Sequence, residues 1–283
     1  MDYALLAVAA LTVACQNITK KKFNQKSSVG VFLFSGMISL CAMLFFIVIN
    51  DDWSYRPEQL PHSFGFALSY TAYTLFAVMA MKAGSLAKTS LVLSSSLLIP
   101  TLYGFLFLNE AISITLVAGL ALLIAGLWLV NYVKEKSVTT LKWALFAFLA
   151  FAGSGMCSVV QKMQVNTFGT EGKNVFMIVA LAIVTVMLFT VALFSKPERT
   201  NIGSIVKKSL PLAAACGVFN GLCNMLVMYL NPRVPASILF PVISGGGVVL
   251  VFLYSVLVLK EKFTLLQKIG YGLGVASIIL MNL

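Results

Sequence analysis

One stretch of this chain occurs twice. Residues 89–131 and 240–282 align without a gap at an offset of 151. At that offset Tyr103/Tyr254, Glu110/Glu261, Gly119/Gly270 and Asn131/Asn282 are identical. Leucine pairs, such as Leu102/Leu253, come cheaply in apolar sequence; Tyr, Glu, Gly and Asn pairs at one fixed offset do not. The small-residue runs Ser94-Ser95-Ser96 and Gly245-Gly246-Gly247 also coincide. An internal repeat constrains the fold before any residue has a role, because both copies must build the same unit.

The repeat reaches both halves once loop gaps are allowed. Val31-Phe32 and Met43-Leu44-Phe45 match Val175-Phe176 and Met187-Leu188-Phe189, and Lys21 and Lys82 match Lys162 and Arg233. We divide the chain into a first copy, 1–134, and a second, 135–283.

The copies are built of membrane spans. Hydrophobic residues make up 60% of the chain and charged residues 10%, where a soluble domain is about half apolar and about a quarter charged. Apolar runs reach the ~20 residues a helix needs to cross a bilayer. None alternates as barrel strands would. Ten spans are expected, near 3–19, 29–49, 64–82, 86–108, 113–133, 141–162, 173–195, 209–230, 235–259 and 264–282. The fold class is an all-α polytopic membrane protein of ten transmembrane helices. Five spans per copy is an odd number, so the second copy enters the bilayer inverted, an architecture common in secondary transporters.

Charge supports the inversion. Connections 1–2, 3–4, 5–6, 7–8 and 9–10 carry 16 Lys and Arg residues and the opposite side carries 4. The rich side is expected in the cytoplasm of a plasma-membrane protein, with both termini outside it. The formal net charge of +11 is therefore read as orientation by the bilayer rather than affinity for nucleic acid. The five cysteines lie within predicted spans with no CxxC pair. Ser113 and Thr264 mark the starts of spans 5 and 10, and Thr264 with Gln267 forms a capping box.

Polar residues inside spans are costly and therefore candidates for function. Span 1 offers Gln16 and Asn17; span 3 offers Tyr70, Tyr73 and Thr74 on one face; span 6 offers Ser154, Ser158 and Gln161; span 8 offers Asn220 and Asn224, one turn apart. Tyr73 and Asn224 are equivalent in the repeat, so both halves can present these groups to a shared cavity. The competing reading is hydrogen-bonded glue between helices. Ser95 and Gly246, at the centres of the two small-residue runs, mark either backbone that faces substrate or close helix packing. Lys88 lies inside span 4. Lys82, Arg233, Lys21 and Lys162 lie at helix ends, where they either snorkel or guide an anionic or zwitterionic substrate. Glu110 and Glu261 are expected to act structurally through helix N-termini.

Other chemistries lack their residues. All nine acidic residues are terminal or in connections. There is no phosphate-binding loop, no G-x-S-x-G turn, one histidine (His62) and no metal-ligand cluster. Neither enzymatic activity, a cofactor nor a metal is expected.

The small-residue run, Pro100, the Leu-rich end with Glu110, and Gly119 resemble the drug/metabolite transporter superfamily in its ten-helix EamA-like branch. Pro241, Glu261 and Gly270 repeat the pattern. The resemblance implies a central cavity lined by helices 1, 3, 4, 6, 8 and 9. It also implies peripheral helices 5 and 10 that can support a homodimer. Many relatives keep their termini in the cytoplasm, which the charge count opposes here. The small multidrug branch uses a first-helix glutamate for cation/proton exchange, and the first span here has none. The expected function is a secondary transporter, exporter or facilitator, of a small polar metabolite such as an amino acid. Alternatives are a lipid-linked carrier flippase of the same fold and a non-transport membrane scaffold.

Overall fold

Hydrocarbon offers no partner to a backbone N–H or C=O, so an apolar run must bond within itself as helix. The computed structural model follows that rule. It describes all residues except 1, 27–28, 85, 132–139, 259, 261–263 and 282–283, and describes the backbone alone for 26, 86–88, 91 and 131. The described residues form helices and no strand. In order these are α1 (Asp2–Lys26), α2 (Val31–Ile49), α3 (Leu60–Ala83), α4 (Leu86–Ser94), α5 (Leu98–Phe107), α6 (Ile114–Asn131), α7 (Leu141–Phe168), α8 (Lys173–Phe194), α9 (Lys196–Arg199), α10 (Ile202–Leu230), α11 (Ala236–Leu257) and α12 (Leu265–Met281). Seven of them, α1, α2, α3, α7, α8, α10 and α11, are long and apolar enough to cross a membrane. Three shorter apolar helices, Val92–Phe107, Ile114–Val130 and Leu265–Met281, correspond to predicted spans 4, 5 and 10.

Several helices outrun their predicted spans. α1 continues through Lys20, Lys21 and Lys22, α7 runs past Lys162 to Phe168, and α10 starts at Ile202. Hydropathy falls at the first charge, but the hydrogen-bond ladder does not. The outer faces are apolar: Leu141, Ile114 and Phe194 are 88%, 87% and 86% exposed. Such surface suits lipid and not water.

The two small-residue runs part company. Span 4 breaks into α4, a 3-10 turn at Ser95–Leu97, and α5. Pro100 has no N–H to give Ser96 O, and Leu98 N–H bonds the Ser95 and Ser96 carbonyls instead. The position equivalent to Pro100 is Val251, which keeps its N–H, and α11 passes through Gly245–Gly247 unbroken. Those glycines serve close approach. A Cβ on Gly246 would lie 2.9 Å from Ala10 Cβ, and one on Gly247 would lie 2.7 Å from Val13 Cγ1. α6 and α12 meet the same way, since a Cβ on Gly126 or on Gly270 would lie 2.6 Å from the other's carbonyl oxygen.

Each half lends a buried glutamate to a helix start in the other. Glu110, in the α5–α6 connection, accepts from Ala236 N (2.6 Å), Ser237 N (3.0 Å) and Ser237 Oγ (2.6 Å) at the start of α11. Glu198, in α9, accepts from Phe32 N (3.2 Å) and Leu33 N (2.8 Å) at the start of α2. The expectation of a helix N-terminus for Glu110 holds, and the helix is a distant one. Glu261 lies outside the described residues. Ser113 caps α6 through Leu116 N, and Thr264 and Gln267 close their box. Glu198 is 4% exposed, so Glu198→Ala removes a buried cap and is expected to cost about 1–2 kcal/mol. Chemical unfolding of the purified protein in detergent measures it.

Candidate functional site

α1 packs against α10 and α11, and α3 lies along α7. Polar residues on these faces have no water to fall back on, so they meet each other. Gln161 Nε2 donates to Asn224 Oδ1 (2.7 Å). Asn224 Nδ2 donates to Asn220 O (2.9 Å) and Oδ1 (3.1 Å). Asn220 Nδ2 donates to Gln16 Oε1 (3.1 Å), and Gln16 Nε2 to Phe219 O (3.3 Å). One amide chain thus ties α7, α10 and α1. Gln16, Gln161 and Asn220 are buried, and Asn224 is partly so.

One turn away α1 and α7 open. A cavity of about 270 Å³ lies between α1, α3, α4–α5, α7 and α11. Asn17, Tyr73, Ser94, Ser96, Ser154, Ser158 and Ser244 give it polar walls, and Pro100, Phe240 and Val248 are among its apolar ones. Ser96 Oγ and Ser154 Oγ are 2.8 Å apart, which joins the 3-10 turn to α7. A Cβ on Gly153 would lie 2.8 Å from Ser69 O, so α7 presses closely on α3 beneath the cavity.

The structure therefore sorts the sequence candidates. Asn17, Tyr73 and Ser158 line the cavity. Gln16, Gln161, Asn220 and Asn224 form the amide chain beside it. Tyr70 meets Tyr73 edge-on at 6.4 Å. Thr74 is buried and returns its hydroxyl to Tyr70 O (3.0 Å). Ser95 is in the 3-10 turn between two lining serines. Gly246 packs on α1 and faces an apolar groove between α1, α11 and α12 instead of the cavity. The side chain of Lys88 lies outside the described residues. Lys82 is exposed. Arg233 is also exposed, stacks 3.7 Å over the Tyr229 ring and donates to Tyr229 O.

One lysine read as an end charge lies inside, and another, counted with the first connection, is half-buried on α1. Lys162 does not snorkel. It is 6% exposed, donates to Asn231 O (2.7 Å) and Val234 O (3.1 Å), and has Glu110 Oε1 3.9 Å away. Lys20, counted with the first connection, lies within electrostatic range of Tyr70, Tyr73, Cys216 and Cys223. Its signal was available: it stands one turn after Gln16 and three residues after Asn17, on the polar face of α1. Moving both lysines out of the connections leaves the charge asymmetry in the same direction.

Among the described residues no group of three or more His, Cys, Asp or Glu could hold a metal ion. None of the curated proteins matches the chain. Among 28 solved chains that match, one crystal structure superposes with a TM-score of 0.78 at 17% identity, over 99% of this chain and 95% of that one. At that identity the likeness speaks for the fold alone. The sequence matches the EamA-like transporter family twice, over residues 2–132 and 141–283. The chain belongs to the EamA-like transporter family.

Proposed function

We propose that this protein is a secondary transporter, exporter or facilitator, that moves a small polar metabolite such as an amino acid through the cavity beside the amide chain. All ten apolar helices cross the bilayer, as two inverted five-helix copies, with the lysine-rich connections in the cytoplasm and the termini outside. The observation that carries the reading is the cavity, lined by both copies and walled by hydroxyls and an amide. Such convergence of polar groups in a mostly apolar bundle marks a binding site. At about 270 Å³ it has room for roughly nine waters' share of liquid volume. That size favours a small metabolite over the head of a lipid-linked carrier. Alternating access follows if the copies rock about this site. A homodimer through the outward faces of α6 and α12 is compatible with this arrangement, since their glycine faces are used within the chain.

A thermal-stability screen of the purified protein in detergent tests the reading, using a metabolite library sorted by charge and size. A ligand at 100 times its Kd stabilises the folded form by about 2.7 kcal/mol. The expected hits are small and polar, and are lost in Ser158→Trp, which fills the cavity. Hits confined to lipid-linked carriers, retained in Ser158→Trp, would contradict it.

A further inference from the structure

Three of the helices that wall the cavity run on into one charged cluster, on the side where α7 ends and α11 begins. On α5, Pro100 lines the cavity and Gly104 stands one turn further. On α7, Ser158 lines it and Lys162 stands one turn further. On α11, Phe240 lines it and Ala236 stands one turn before. Residues four apart share a helix face and are separated by a rise of about 6 Å. Asn109, in the left-handed region (φ 52°), turns the chain after α5, and Glu110 N–H returns to Gly104 O (3.2 Å). The carboxylate then lies over Gly104, where a Cβ would strike Glu110 Oε2. From there it accepts from Ala236 and Ser237 and faces Lys162 at 3.9 Å, itself bonded to Asn231 O and Val234 O. Glu110 belongs to the first copy, and these side-chain partners all belong to the second.

We infer that this cluster is the extracytoplasmic gate of the cavity, and that the gate opens when the Glu110 carboxylate leaves the start of α11. The inference rests on the transport reading, in which this end of the bundle faces outside. Copies that rock apart at one end must break whatever ties them there, and Glu110 is such a tie, one turn beyond the cavity wall. A charged tie suits that task. It is strong while dry, and once parted its carboxylate, ammonium and N–H groups all find partners in water. An apolar plug recovers nothing from water when it opens. Glu198 makes a comparable tie in the opposite sense, from the second copy to the start of α2. Neither α2 nor α9 supplies a described residue of the cavity wall, so the Glu198 tie is a fixed cap.

The test follows Ser158→Cys in the full chain, labelled with a membrane-impermeant maleimide in right-side-out and inside-out vesicles. The native chain gives the background of its own five thiols. Adding Glu110→Gln keeps the shape and removes the charge. It is expected to raise the ratio of outside to cytoplasmic labelling about tenfold, the population shift that one charge-assisted bond controls. Ser237→Ala removes one hydroxyl, leaves both capping N–H groups in place and does not depend on Glu110→Gln folding. It is expected to raise the ratio about threefold. Glu198→Gln is expected to leave the ratio unchanged. An unchanged ratio in Glu110→Gln or in Ser237→Ala, with Ser158→Cys reactive from both sides, overturns the gate and leaves the transport reading standing. An equal rise in Glu198→Gln does the same, because the shift is then a general loosening of the fold. A cysteine at 158 that reacts from neither side in any of these chains overturns the transport reading, and the gate with it.

Discussion

Glu110→Ala is expected to lower the stability of the folded protein by about 3–5 kcal/mol, the usual cost of removing one partner from a buried ion pair. Three hydrogen bonds at the start of α11 end on this carboxylate, and Lys162 lies 3.9 Å from it. Both side chains are at most 9% exposed, so solvent takes over little of what is lost. Alanine orphans two backbone N–H groups and a hydroxyl, and leaves the ammonium with only the Asn231 and Val234 carbonyls. Glu110→Gln keeps an acceptor for α11 and is expected to cost less. Adding Lys162→Met to Glu110→Ala removes the unpaired charge and is expected to recover part of the loss. Denaturant unfolding in detergent measures all three. A cost for Glu110→Ala below about 1 kcal/mol, the range of exposed pairs, would show that the pair is not buried as described.

Asn220→Leu is expected to be the next most damaging change. Asn220 bonds in both directions along the amide chain, to Gln16 and to Asn224, and it makes the link between α10 and α1. Leucine is of similar size, so packing changes little. What changes is that Gln16 Oε1 loses its donor and Asn224 Nδ2 one of its acceptors. Each buried group left unpaired costs about 1–3 kcal/mol. The expected loss is about 2–4 kcal/mol, less than the sum of two full penalties because Asn224 keeps the Asn220 carbonyl. Asn220→Asp retains the acceptor but not the donor to Gln16, and falls between. The same unfolding assay ranks the two, and equal stability of Asn220→Leu and the native chain would mean that the chain of amides does not hold α1 to α10.

The helices and the duplication are legible in the sequence because a bilayer leaves so little choice. An apolar run that cannot bond to water becomes helix, and the identity of Gly119 and Gly270 places both copies of one packing face. The Thr264–Gln267 box is equally local, with its partners three residues apart. Legibility fails where a partner is distant or where charge interrupts a helix. The partners of Glu110 are 126 and 127 residues away, and no local pattern names them. Lys20 and Lys162 look like span ends because their charge depresses hydropathy, although both continue a helix. Polarity alone did not separate Asn17 from Gln16: they are adjacent in α1, and the turn between them decides which lines the cavity and which is tied to α10. Ser94–Ser96 and Gly245–Gly247 align in sequence, but Pro100 in one copy and Val251 in the other give them different backbones.

The central claim is that one polar cavity is reached in turn from each side of the membrane. It is tested most directly by placing single cysteines at Ser158 and Ser244, which line the cavity from α7 and α11. Their reaction with a membrane-impermeant maleimide is then compared in right-side-out and inside-out vesicles, against the native chain. Labelling of both positions from both sides, with the balance between sides shifted by a transported substrate, is the predicted result. Cysteines that stay dry from both sides, or react from the same single side under every condition, would contradict the account.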